Sequence, residues 1–176
     1  AGKVAHASFT TKPINIFGAI TFNNASVLGG VAGTDTTSTN TISGGIGAGV
    51  TAINQNGLST LNITTGTVNV GASGLVLNAN SNIGVNVSAP TSGTGALTIN
   101  INNTGSVTLS GALGHTGGIV INRFGGGTPS IGSYAGNITF GGSQATTLSN
   151  ALTAPSGGMQ LNSSASALLT YSGVIS

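Results

Sequence analysis

One triplet recurs along this chain: an apolar residue, a polar residue, an apolar residue. With Asn at its centre it reads Ile14-Asn15-Ile16, Leu61-Asn62-Ile63, Val68-Asn69-Val70, Val85-Asn86-Val87 and Ile99-Asn100-Ile101. With Thr it reads Ile20-Thr21-Phe22, Val107-Thr108-Leu109 and Ile138-Thr139-Phe140, and Met159-Gln160-Leu161 is a further variant. Leu75-Val76-Leu77 and Ile119-Val120-Ile121 have an apolar centre. A period of two puts the outer members of a triplet on one face of a β-strand. That face looks into a core, and the Asn or Thr looks out. Gly, Ser, Asn or Pro bounds each run, so the strands are short. No apolar stripe of helical period exceeds two turns, and Glu, a strong helix former, is absent.

Asn is a poor strand residue in general. Its repeated use at outward positions predicts stacked amides, each bonded to the one above. The triplet centres also return at intervals of about 19 to 24 residues: Asn62 to Asn86, Val76 to Asn100, Asn86 to Thr108, Asn100 to Val120, Val120 to Thr139 and Thr139 to Gln160. One turn of a three-sided β-helix takes about that much chain, at roughly 3.3 Å per strand residue plus corners. The expected fold is all-β, a parallel β-solenoid of about seven to nine short turns. The alternative is a β-sandwich with a donated N-terminal strand, which needs longer strands at 8–12-residue spacing.

Charge narrows the function classes. Of 176 residues, three are Lys or Arg and one is acidic: Lys3, Lys12, Arg123 and Asp35. Nucleic-acid binding needs clustered Lys and Arg, and no cluster exists. Moderate hydrophobicity (38% apolar) with low net charge does not fit intrinsic disorder. No 18-residue apolar run is present, so no transmembrane helix and no membrane insertion are expected. One carboxylate forms no acid–base pair, and with no Cys there is no thiolate. His6, His115 and Asp35 lie in different segments without metal-ligand spacing. With 21 Ser in the chain, a Ser near either His is expected by chance. We therefore expect no enzyme, no metal and no cofactor. The glycine stretches 44–49 and 125–127 lack the Lys-Ser/Thr of a phosphate loop and read as tight corners.

The sequence divides by texture. Residues 1–23 read as an N-terminal arm or the first strands, hold both Lys and three of the five Phe, and offer a possible inter-subunit strand. Residues 24–57 are rich in Gly and Thr and read as a long loop or irregular turns. Residues 58–176 carry most of the triplets and form the expected solenoid body.

From residue 105 two passages stand out. Gly105-Ser106-Val107-Thr108-Leu109-Ser110-Gly111-Ala112 is followed by Thr116-Gly117-Gly118-Ile119-Val120-Ile121-Asn122 and by Asn137-Ile138-Thr139-Phe140-Gly141-Gly142. Later comes Leu168-Leu169-Thr170-Tyr171-Ser172-Gly173-Val174-Ile175-Ser176. Residues 105–142 and 168–176 resemble the autotransporter-associated β-strand repeat of bacterial cell-surface passenger proteins. The resemblance covers about a third of the chain. It implies a right-handed parallel β-helix in a secreted or surface protein, and it transfers no catalytic residue. His115 departs from the pattern, which usually has Tyr there. The sequence continues into no membrane-barrel translocator, so a fragment, a processed product or a short self-assembling relative is expected.

Net charge ordinarily keeps proteins apart in solution. A surface of Ser, Thr, Asn and Gly repels copies of itself weakly. The expected function is a structural subunit that polymerises head to tail into an extracellular filament, sheath or surface layer, exported after signal-peptide removal. The residues expected to carry assembly are Phe9, Ile14, Ile16, Phe17, Ile20, Phe22, Val174 and Ile175. The alternative is an adhesin or passenger fragment that contacts a surface glycan or host protein.

Overall fold

The computed structural model describes residues 8–9, 18–22, 39–57, 60–149, 151–152, 160–163 and 168–176. Every strand pairing among them is parallel. Strands are numbered along the chain. The first sheet stacks β1 (Ser8–Phe9), β3 (Thr39–Ile42), β5 (Thr60–Ile63), β8 (Val85–Val87), β11 (Val107–Leu109) and β13 (Pro129–Ile131). The second stacks β2 (Gly18–Phe22), β4 (Val50–Gln55), β7 (Leu75–Ala79), β10 (Leu97–Ile101), β12 (Ile119–Arg123), β14 (Ile138–Gly142) and β16 (Leu161–Ser163). The third side is thinner. It holds β6 (Val68–Val70) and β9 (Thr91–Gly93), extended by the bridges Ile46↔Val68, Thr91↔Leu113 and Leu113↔Tyr134. β15 (Thr146–Leu148) lies beside β13 and pairs with β17 (Leu169–Tyr171).

The chain therefore coils through three sides and returns one layer on. Leu75 pairs with Leu97, and Leu97 with Ile119. This is a parallel β-solenoid; the sandwich alternative fails because its sheets would be antiparallel. Complete turns number about five, between Thr39 and Gly142, with partial turns described on either side. The expected seven to nine spread the 19-to-24-residue return over the whole sequence, and about five complete turns are present among the described residues.

Alternation determines which side chains fill the interior. In β7, Leu75, Leu77 and Ala79 are buried while Val76 and Asn78 are half-exposed. In β10, Leu97, Ile99 and Ile101 are buried, and each such side chain contributes about 1.5–3 kcal/mol relative to exposure. Stacked layer on layer, these residues make one continuous core from Ile42 to Leu152.

Two expectations need correction. Within 24–57, residues 39–55 are not irregular: β3, the Ile46 bridge and β4 form a full turn of the solenoid. Thr, Asn and Gly hid the pattern, because Asn40 takes an inward position where the triplets carry an aliphatic residue. The last variant triplet is also displaced. The strand is Leu161–Ser163, with Leu161 rather than Gln160 opposite the preceding layer.

Candidate functional site

The outer face of the second sheet carries two parallel columns. Register places Ala52, Val76, Thr98, Val120 and Thr139 in one column. Asn54, Asn78, Asn100 and Asn122 form the other. The Asn column is a hydrogen-bonded ladder. Asn78 Nδ2 donates to Asn54 Oδ1 at 2.7 Å, Asn100 Nδ2 to Asn78 Oδ1 at 2.7 Å, and Asn122 Nδ2 to Asn100 Oδ1 at 2.9 Å. Gly141 holds the next register position and has no amide to continue it. A second ladder runs just past the strand ends, with Asn80 Nδ2 donating to Asn56 Oδ1 at 2.7 Å and Asn102 Nδ2 to Asn80 Oδ1 at 2.6 Å. On the first sheet, Asn86 Nδ2 donates to Asn62 Oδ1 at 3.0 Å. An amide has two donors and an acceptor with two lone pairs. A ladder uses about half of that capacity and leaves the rest turned to the surroundings. The stacked amides expected from the outward Asn residues are thus present.

These faces are almost free of charge. Lys3, Lys12 and Asp35 lie outside the described residues, as does His6. Arg123 is spent internally. It stands at the end of β12, where Nε donates to the Gly127 carbonyl at 2.6 Å and the two terminal nitrogens donate to Gly126 and Ala145. It braces the 125–127 corner, so this glycine stretch opens no helix. Beside it Phe124 is exposed.

Among the described residues, no three His, Cys, Asp or Glu side chains gather in a way that holds a metal ion. No described helix is long and apolar enough to cross a membrane. Of the three residues weighed for chemistry, only His115 is described, and it is a core residue, 2% exposed. Its Nδ1 lies 2.8 Å from Thr91 Oγ1, one turn earlier. Its ring stacks on Tyr134, one turn later, with centroids 5.0 Å apart and planes 20° from parallel. The Tyr134 hydroxyl donates to the His115 carbonyl at 3.2 Å. His115 Nε2 is buried without a hydrogen-bond partner. Burial holds the imidazole below its ordinary pKa, opposed in part by the nearby Gly118 backbone. Burial likewise pushes the Tyr134 phenol up, again opposed by Gly118. Sequence reasoning treated His115 as a conceivable reactive group. The signal for burial was its place two residues after Leu113, on the same face of the third side.

The expected assembly residues fall into three groups. Phe9 lies in β1, paired with Ile42, while Ile20 and Phe22 lie in β2, paired with Ile53 and Gln55. These strands form the outermost described layer on their own chain's sheets. Ile14, Ile16 and Phe17 lie outside the described residues. Val174 and Ile175 belong to the last described turn, where Ile175 bridges Leu152. That turn is thinly covered. Leu168 is 71% exposed, Val174 69% and Ile175 50%, and the strand pair facing inward from β17, Leu169 and Tyr171, is only half-buried. Val107 and Leu109, at matching positions deeper in the stack, are fully buried.

No protein-family model, curated protein or solved structure matches this chain. Its functional reading therefore rests on its own residues.

Proposed function

We propose that this protein is a non-enzymatic structural subunit that assembles with copies of itself, head to tail, into an extracellular filament, sheath or surface layer. The observation that carries this reading is the neutrality of the described surface. Its outward positions hold Asn, Thr and Val, its one described cationic side chain, Arg123, binds backbone carbonyls, and nothing on these faces repels an identical face.

In this reading the joint lies between the two ends of the solenoid. β17 pairs with β15, which lies beside the β13 edge of the first sheet, and β1 is that sheet's other edge. β16 and β2 are the two edges of the second sheet. One copy stacked on the next aligns β17 with β1 and β16 with β2. Parallel pairing then satisfies backbone groups that a sheet edge leaves open. It also covers Leu168, Val174 and Ile175. Phe9, Ile20 and Phe22 stand on the opposing edge, and residues 14–17 belong to the same arm.

The test is the state of the full chain in dilute buffer, by sedimentation and electron microscopy. Filaments with one chain per several strand layers support the proposal. A stable 17 kDa monomer at millimolar concentration overturns it and favours a passenger-type surface module that contacts a glycan or host protein. Deleting residues 1–22 should abolish filaments. Normal filaments from that variant would remove the arm from the joint.

A further inference from the structure

We propose that His115 makes the middle of the solenoid an acid-sensitive joint: its protonation opens the turns built on β9 to β14, and its neutral form closes them. The inference goes beyond the assembly reading and does not depend on it.

The geometry carries the argument. His115 is fully enclosed, and its two ring nitrogens face unequal surroundings. Nδ1 has the Thr91 hydroxyl at 2.8 Å, while Nε2 has no hydrogen-bond partner. The neutral ring tolerates this arrangement, because one nitrogen bonds to Thr91 and the ring face packs on Tyr134. The imidazolium does not. Both nitrogens become donors, Nε2 has no hydrogen-bond partner in the folded arrangement, and a full charge sits in a largely apolar core where burial disfavours it. The Gly118 backbone offsets that charge only in part, and burial outweighs it. The titratable group facing His115 is the Tyr134 phenol, which is neutral well beyond this pH range, and its hydroxyl donates to a backbone carbonyl. Thr91 contributes only a hydroxyl. Arg123, on β12, is turned to the carbonyls of Gly126, Gly127 and Ala145. No acidic side chain lies among the described residues, since the chain's one Asp or Glu is Asp35.

The position of His115 amplifies the effect. Thr91, His115 and Tyr134 come from three consecutive turns, so one side chain ties three layers. In a solenoid each layer is stabilised mainly by its neighbours, so weakening this contact opens a local block of turns before the whole stack. The one other side chain with an ordinary pKa between pH 5 and 7.5 is His6.

The direction follows from linkage. The folded pKa of His115 lies below its unfolded value, so the unfolded state binds the extra proton first. Stability is full above the unfolded pKa and falls as pH drops below it. The folding equilibrium constant should decrease by up to about tenfold per pH unit between pH 6.5 and 5.

The experiment is denaturant unfolding of the full chain from pH 7.5 to 5, with hydrogen exchange read strand by strand and corrected for intrinsic rates. The expected result is that pH-dependent loss, with exchange accelerating first in β9 to β14 and recovering on return to pH 7.5. His115→Phe keeps the stack on Tyr134 and should flatten the profile. His6→Gln should leave it unchanged. A flat wild-type profile, or an unchanged slope in His115→Phe, overturns the proposal. If His115→Phe fails to fold, NMR titration of the wild-type imidazoles decides instead. A His115 ring that protonates at its ordinary pKa in a closed fold overturns the proposal, and one that protonates only as β9 to β14 open supports it.

Discussion

Gly95 sits where successive layers of backbone come closest. A side chain there would overlap the Gly71 carbonyl oxygen and press the Gly74 nitrogen, and Gly117 repeats the same contact against Gly95 one turn on. The requirement is space, because the obstructing atoms are backbone and cannot rotate away. Gly126 is the natural contrast: a Cβ there first meets a Thr104 methyl at 3.5 Å, an ordinary contact. Gly95→Ala should therefore cost about 3 kcal/mol, the upper end of overpacking effects. Gly126→Ala should change stability by no more than about 0.5 kcal/mol. Denaturant midpoints of the two variants check this, and equal effects would show that the layers can spread.

At the scale of the strands, the Asn ladder on β4, β7, β10 and β12 does what cross-strand pairs do in other sheets, but with identical side chains. Asn78 and Asn100 each accept from the layer after and donate to the layer before. Asn100 occupies the middle of a half-buried run and makes both bonds. Asn86 makes one ladder bond on an exposed face. Asn100→Ala removes the bonds to Asn78 Oδ1 and from Asn122 Nδ2, both half-buried, and should cost about 1–2 kcal/mol, while Asn86→Ala should cost less than about 1 kcal/mol. Thermal unfolding of the two variants gives the comparison. If Asn86→Ala costs as much as Asn100→Ala, burial is not what strengthens the ladder.

At the scale of the whole molecule, each register pairing spans one turn, 24 residues from Ile53 to Leu77 and 19 from Ile119 to Ile138. The stack is one-dimensional, and its stability is a sum over neighbouring layers. Salt has little to act on. With four formally charged side chains in 176 residues, screening removes almost no attraction or repulsion. Raising NaCl from about 0.05 to 0.5 M, which shortens the Debye length severalfold, should leave the sedimentation profile unchanged. It should move the thermal midpoint by less than about 2 °C, under about 1 kcal/mol for a chain of this size. A strong salt response would implicate Lys3, Lys12 or Asp35 in a charged contact.

The fold class was legible in the triplets. Strict alternation names the inward residues of β7, β8, β10 and β11 without reference to anything else, and the scarcity of charge leaves Asn and Thr to face outward. Register was legible only in part. The returns from Asn62 to Asn86, Asn86 to Thr108 and Val120 to Thr139 match the observed pairing. Those from Val76, Asn100 and Thr139 are off by two: Val76 pairs with Thr98, Asn100 with Asn122 and Thr139 with Asn162. The reason is physical. A slip of two residues keeps every side chain on its own face, so hydrophobic pattern cannot distinguish the two registers. What separates them is contact between layers, such as Asn100 on Asn122 or Gly95 against Gly71. Those contacts depend on how much chain each corner takes up. The same holds for His115: the sequence by itself determined that a ring with two nitrogens occurs there, and only the coiling of three turns around it decided that one of them is buried without a partner.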